Sequence, residues 1–82
     1  MKCFIYKSLK KPDTYLYLSE KDNFSSLPDI LVKALGTLKW VMDLELSPEK
    51  KLAQADARTV ISTLTSQHYY LQLPPQNLNN PL

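Results

Sequence analysis

Few residues of this chain could perform acid–base catalysis. Asp43 and Glu45 stand two positions apart in an alternating stretch, which places both carboxylates on one face of a strand, about 6–7 Å apart. Carboxylates at such a separation can act as a general acid and a general base, and His68, the only histidine, could join them in a small hydrolase. A solvent-facing polar strand and a histidine at a helix end are the plainer account, and we expect no catalysis.

Nucleophilic, metal and phosphate-loop chemistry also find little support. Cys3 lies among apolar residues of a predicted strand, where a cysteine behaves as a small buried hydrophobe. One cysteine and one histidine have no neighbours at ligand spacing, which argues against a metal site. A Gly-rich phosphate loop cannot be built with one glycine. We therefore expect no catalytic residues, no metal and no small-molecule cofactor.

Aromatic and basic residues form a more specific pattern. Rings alternate along two predicted strands, and lysines lie near them in the sequence. The candidate binding residues are Phe4, Tyr6, Tyr15, Tyr17, Lys2, Lys10, Lys11 and Lys39. Such a surface could be covered by a protein partner or a second copy of the chain, or could stack the bases of single-stranded RNA in an RNA-processing accessory domain. Cross-strand packing of the rings is the third explanation, and all three stay open here.

The elements that must position these residues begin with a β-hairpin. Residues 2–8 and 14–19 are rich in β-forming side chains, and the Pro and Asp between them favour a turn. We predict that Tyr6 pairs with Tyr15 and Phe4 with Tyr17, which collects the rings on one face. A slip of one residue would exchange the faces of one strand.

Two helices and two strands follow. A serine cap at Ser26 and the chain's only glycine, Gly36, predict a helix over residues 27–35. Residues 37–46 alternate, so Trp40 is expected in the core of a third strand. A short helix from Pro48 should end near residue 53, and a longer helix capped by Asp56 precedes a last strand over residues 69–73.

The resulting order is β-β-α-β-α-α-β. It predicts an α+β fold, a two-layer sandwich with a mostly antiparallel four-stranded sheet and the helices on one face. Residues 1–75 should form one domain, and the Pro- and Asn-rich residues 76–82 a mobile tail. With 82 residues, the chain can build one small core but no deep substrate cavity.

Charge and cysteine content limit the cellular compartment in which we expect the protein. The net charge is +2, although residues 1–11 hold four lysines and no acid. A single cysteine fits a reducing compartment, and no apolar run is long enough for a signal peptide or a membrane helix. We expect a cytoplasmic protein that does not contact membranes.

Three segments together resemble the YcgL domain family of small bacterial proteins. The opening residues 3–8, 13–17 and 21–24 are similar to the start of that family, and residues 69–75, Tyr-Tyr-Leu-Gln-Leu-Pro-Pro, to its end. Leu27-Pro28, Gly36 and residues 50–56 also fit. The resemblance spans residues 1–75 and implies a bacterial, cytoplasmic α/β domain with an antiparallel sheet. It supplies no catalytic residue, so we expect an interaction module and not an enzyme.

Overall fold

The sheet is four-stranded and antiparallel throughout, with two helices packed on it. The computed structural model describes residues 1–50, 52 and 56–73. The elements in chain order are β1 (Lys2–Ser8), β2 (Tyr15–Leu18), α1 (Asp29–Leu35), β3 (Leu38–Glu45), α2 (Ala57–Gln67) and β4 (Tyr69–Gln72). The strand order is β3-β1-β2-β4, with each neighbouring pair antiparallel. The predicted α+β fold with a four-stranded antiparallel sheet is confirmed.

The two helices lie on opposite faces of the sheet. Successive side chains of a strand point to opposite faces, and both faces of β1 and β2 are buried. The core on the α2 side comprises Cys3, Ile5, Tyr17, Leu46, Val60 and Leu64. The core on the α1 side comprises Tyr6, Leu16, Leu18, Leu27 and Leu35. The expectation that the helices cover one face is therefore wrong, because the central strands are apolar on both sides.

The hairpin register differs from the prediction by one residue. Tyr6 pairs with Leu16 and Ile5 with Tyr17. The hydroxyl of Ser8 holds the turn in this register: its Oγ accepts hydrogen bonds from the backbone nitrogens of Lys10, at 3.2 Å, and Lys11, at 2.9 Å. The same Oγ donates to the Leu35 carbonyl oxygen at 2.6 Å. Ser8 thus ties the hairpin turn to the end of α1.

The helix boundaries follow the local signals except at the start of α1. That helix begins after Pro28, with no side-chain cap, so the predicted Ser26 cap is wrong. The Asp56 carboxylate caps α2 as predicted by accepting from the Arg58 backbone nitrogen at 3.0 Å. Residues 48–49 form a turn. Residues 50 and 52 are not helical either, so the predicted short helix from Pro48 to near residue 53 is wrong. Residues 51 and 53 and the predicted 76–82 tail lie outside the described residues.

None of the helices within the described ranges is long and apolar enough to cross a membrane.

Gly36 ends α1 in a backbone conformation that needs glycine. Its φ is 65° and its ψ −141°, a combination accessible essentially to glycine alone. A Cβ added there would lie 3.1 Å from the Cβ of Lys10, so a side chain would also press on the hairpin turn.

We expect Gly36→Ala to lower the free energy of unfolding by about 1–3 kcal/mol, because it adds backbone strain to the close contact. Denaturant titration measures the change. The double variant Gly36→Ala/Lys10→Gly, compared with Lys10→Gly alone, separates the two causes: it removes the Cβ of residue 10 that makes the contact and leaves the strain. A Gly36→Ala variant as stable as the parent would contradict the strained conformation.

Candidate functional site

The predicted aromatic face does not exist as one surface. Phe4 and Tyr6 lie on the α1 side of the sheet, whereas Tyr15 and Tyr17 lie on the α2 side. Tyr6 is 2 % exposed and Tyr17 5 %, so neither ring is available to a partner. The cause is the register: a slip of one residue moves the rings of β2 to the opposite face from those of β1.

The buried rings have structural contacts instead. The hydroxyl of Tyr6 donates to Asp22 Oδ1 at 2.8 Å and accepts from the Asp22 backbone nitrogen at 2.7 Å, and its ring packs edge-to-face on Phe24. The Tyr17 hydroxyl donates to Gln72 Oε1 at 2.8 Å. Burial raises the pKa of both tyrosines. These residues belong to the two cores rather than to a binding site.

A β-bulge in β3 exposes three consecutive apolar residues. Ile5 pairs with Met42 and Tyr6 with Trp40, so one residue, Val41, is extra on β3. The bulge directs Trp40 to the α1 side and Met42 to the α2 side, although the sequence alternates without a break. The residues Trp40, Val41 and Met42 are 46 %, 41 % and 43 % exposed, and we call them the β3 patch. The expectation that Trp40 is a core residue is wrong.

A cation lies over the exposed tryptophan ring. Lys21 Nζ is 4.9 Å from the centroid of Trp40, within the range of a cation–π interaction. Within the described residues the only ion pair joins the Met1 ammonium to Glu45 at 3.0 Å, so Lys21 has no carboxylate within 4.0 Å. The β3 patch therefore combines an apolar surface with a positive charge at its side.

The predicted basic residues separate into three places. Lys39 lies directly opposite Lys7 on the α2 side of the sheet. Lys10 and Lys11 occupy the turn between β1 and β2. Lys2 lies opposite Glu45 at the far end of β1, and so does not join the others. The sequence analysis did not include Lys7 among the candidate binding residues. Its position at the end of a strand, before a lysine-rich turn, was the signal that could have identified it.

The three residues of the alternative hydrolase hypothesis do not meet. Asp43 and Glu45 share one face of β3 as predicted, opposite Phe4 and Lys2 on β1. His68 stands just before β4, at the other edge of the sheet. Three strand spacings of about 4.8 Å separate these edges, so the hydrolase arrangement of Asp43, Glu45 and His68 is wrong. The described residues contain no group of three His, Cys, Asp or Glu side chains that could hold a metal ion.

His68 instead lines a polar depression of about 380 Å³. Its other lining residues are Ser19, Glu20, Asn23, Ser25 and Ser26. The hydroxyl of Ser25 donates to Asn23 Oδ1 at 2.7 Å, and the Asn23 side-chain nitrogen donates to Glu20 Oε1 at 2.6 Å. These bonds turn the serine and the carboxylate toward the asparagine. The depression contains a histidine, a glutamate and serines, which are the residue types of nucleophilic catalysis. Among the described hydrogen bonds, however, none joins a serine hydroxyl to His68 or Glu20, and such chemistry needs that contact.

Cys3 is a buried thiol on the α2 side of β1. It is fully buried, and burial raises the pKa of the Cys3 thiol to about 11, an effect that the nearby terminal ammonium partly opposes. The thiolate is the reactive form of cysteine, so this thiol is unreactive near neutral pH. The prediction of a structural cysteine agrees with this environment.

Comparison with known proteins places the chain among its relatives. The YcgL domain model matches residues 3–75. The chain belongs to the YcgL domain family. A YcgL domain-containing protein of Thioalkalivibrio sulfidiphilus is 44 % identical over 77 residues, which cover 94 % of this chain and 95 % of the relative. One from Pectobacterium carotovorum is 48 % identical over 82 residues, covering 98 % and 96 %. The predicted family is confirmed, and the relatives' names specify a domain and no activity.

Tyr6 should contribute more to stability than Trp40, although the sequence predicts Trp40 in the core and Tyr6 on a binding surface. We expect Tyr6→Ala to cost about 3–5 kcal/mol, as truncation of a buried ring does. Trp40→Ala should cost about 1 kcal/mol, because nearly half of the ring remains in water. Urea titrations of the two variants measure the difference. Equal losses, or a larger loss for Trp40→Ala, would contradict the exposure of the β3 patch.

The buried Cys3 thiol predicts a loss of stability at alkaline pH. Its folded-state pKa of about 11 exceeds the ordinary value of 9.0, so the folded chain holds the proton more tightly than the unfolded chain. This contribution is complete below pH 9.0 and is lost as the pH rises through about 11. We expect Cys3→Ala to be less stable at pH 8 but to lose less stability between pH 9 and 11. Parallel stability profiles for parent and variant would contradict this.

Proposed function

We propose that the chain is a non-catalytic protein-binding module whose contact surface is the β3 patch. The observation that carries this proposal is the exposure of three consecutive large apolar residues on an edge strand, each above 40 %. Trp40 points to the α1 side and Met42 to the α2 side, so the exposed apolar residues extend around the edge of the sheet. Exposed apolar residues grouped in this way are typical of an interaction site. Tryptophan and methionine are enriched in the cores of protein interfaces, and tryptophan often contributes a large share of the binding energy.

The β-bulge determines how a partner could use this edge. A regular edge strand invites another strand to continue the sheet, whereas bulges and charged residues discourage such pairing. The β3 edge has the bulge at Val41, and Asp43 and Glu45 follow it. The partner therefore packs around the β3 edge, with Trp40 on the α1 side as its main contact and Met42 on the α2 side at its margin, rather than adding a strand to β3.

The charge beside the patch specifies the partner's chemistry further. Lys21 lies over the Trp40 ring without a carboxylate within 4.0 Å among the described residues. A partner with an apolar surface and an acidic side chain at its margin would cover the ring and pair with this ammonium. Desolvation strengthens both interactions relative to their strength in water. The proposal is thus a different protein that presents an apolar surface with a carboxylate at its rim.

Capture of partners by matched variants tests the proposal. The immobilised parent, Trp40→Ser and Ile30→Ser are exposed to the same bacterial lysate. Ile30 is 82 % exposed and lies on α1, so its variant removes exposed apolar surface outside the β3 patch. We expect a protein that the parent and the Ile30 variant retain and the Trp40 variant loses. Its affinity, measured after purification, should fall at least about 30-fold with Trp40→Ser.

Fluorine NMR distinguishes direct covering from an indirect effect. The chain has one tryptophan, so incorporation of fluorotryptophan gives one signal, that of Trp40. We expect this signal to shift when the purified partner binds. A partner that binds the parent and Trp40→Ser equally, or that leaves the signal unmoved, would overturn the proposal. Trp40-dependent dimerisation in sedimentation would assign the patch to a second copy of the chain instead.

A further inference from the structure

A row of side chains crosses the whole sheet at its hairpin end. Lys39 on β3 pairs with Lys7 on β1, Lys7 with Tyr15 on β2, and Tyr15 with Gln72 on β4. Residues that pair in register point to the same face, so all four belong to the α2 side. Lys7 and Lys39 are exposed and Tyr15 is half-buried. We call Lys39, Lys7, Tyr15 and Gln72 the basic row.

The two lysines of the row repel each other. Directly opposed residues on adjacent antiparallel strands lie about 5 Å apart at their Cα atoms, and like charges in that position destabilise a sheet. All eight aspartate and glutamate side chains lie within the described residues, and none comes within 4.0 Å of Lys7 or Lys39. Among the described residues, no carboxylate pairs directly with either lysine, which favours an anionic ligand.

The hairpin turn adds two lysines beside the row. A surface depression of about 560 Å³ lies at this end of the sheet, with Lys7, Lys10 and Tyr15 in its lining. The carboxylate of Asp13 also lines it. Four lysines (Lys7, Lys10, Lys11 and Lys39) against this one aspartate give the region a formal charge of +3. The stem of Lys10 lies beside Gly36, because a Cβ added to the glycine would be 3.1 Å from the Lys10 Cβ.

Tyr15 is the feature that favours a polymer of nucleotides over a simple anion as the ligand. A tyrosine beside a line of lysines offers a base-stacking surface next to phosphate contacts, the combination that binds single strands. Bases in a duplex are stacked on one another and cannot reach such a ring. We propose that the basic row and the hairpin turn bind a single-stranded nucleic acid, with its phosphates on the lysines and a base stacked on Tyr15.

This inference does not rest on the proposed function, because no residue of the basic row belongs to the β3 patch. Lys39 neighbours Trp40 in sequence, but the two side chains point to opposite faces of the sheet, since Trp40 pairs with Tyr6. Met42 of the β3 patch shares the α2 side with Lys39, so the comparison uses Trp40: Trp40→Ser should leave nucleic-acid binding intact, and the lysine variants should leave binding of the protein partner to Trp40 intact.

Fluorescence anisotropy with a labelled twelve-nucleotide oligouridylate tests the inference. We expect the full chain to bind at low salt, and the double variant Lys7→Ala/Lys39→Ala to bind at least tenfold more weakly. Removing two phosphate contacts should also reduce the slope of log K against log salt concentration by about 1.4. The control variant Lys2→Ala/Lys33→Ala removes the same charge elsewhere, and should bind less than twofold more weakly.

Two further variants test the ring and the fold. Tyr15→Phe keeps a stacking ring and should bind as the parent does, whereas Tyr15→Leu should bind several-fold more weakly. The double lysine variant should melt no lower than the parent, because it relieves repulsion between like charges. Absence of binding at low salt, equal losses in the control variant, or equal binding of a duplex of the same length would each overturn the inference.

Discussion

The structure depends on β1 being hydrogen-bonded at both edges and buried on both faces. It lies between β3 and β2 in the sheet, and its alternate residues enter different cores: Cys3 and Ile5 pack toward α2, and Tyr6 toward α1. A sheet covered on both faces is the arrangement in which central strands are continuously apolar. In a chain of 82 residues, this arrangement divides the apolar side chains between two small cores, and every other element is placed by contact with one of them.

The sequence predicts the elements better than the faces they present. The strands, the end of α1 at Gly36 and the Asp56 cap of α2 follow from local signals, since caps and turns act within a few residues. The hairpin register depends on the Ser8 hydroxyl, which bonds to both the turn and Leu35. The Leu35 contact is long-range, so the residues of the turn alone could not reveal it. A shift of one residue then reassigned half of the rings.

The bulge in β3 had no signal in the sequence at all. Residues 37–46 alternate regularly, and regular alternation predicts one buried face. The extra residue at Val41 appears only in the pairing of β3 with β1, where Ile5 pairs with Met42 and Tyr6 with Trp40. Trp40 thereby leaves the expected core. The sequence could thus identify the aromatic and basic residues as unusual, but not which of them remain exposed after both cores are filled.

The residues that remain exposed are informative, because the rest of the fold satisfies its packing and its hydrogen bonds. Buried polar atoms among the described side chains all have hydrogen-bond partners, and the buried rings are well packed. Against this background, the half-exposed Trp40 and the opposed Lys7–Lys39 pair gain little for stability. Local features that conflict with an otherwise consistent fold are expected at functional sites. A domain this small has no room for an enclosed cavity, so its functional surfaces are expected at sheet edges and ends. The β3 patch and the basic row occupy such positions.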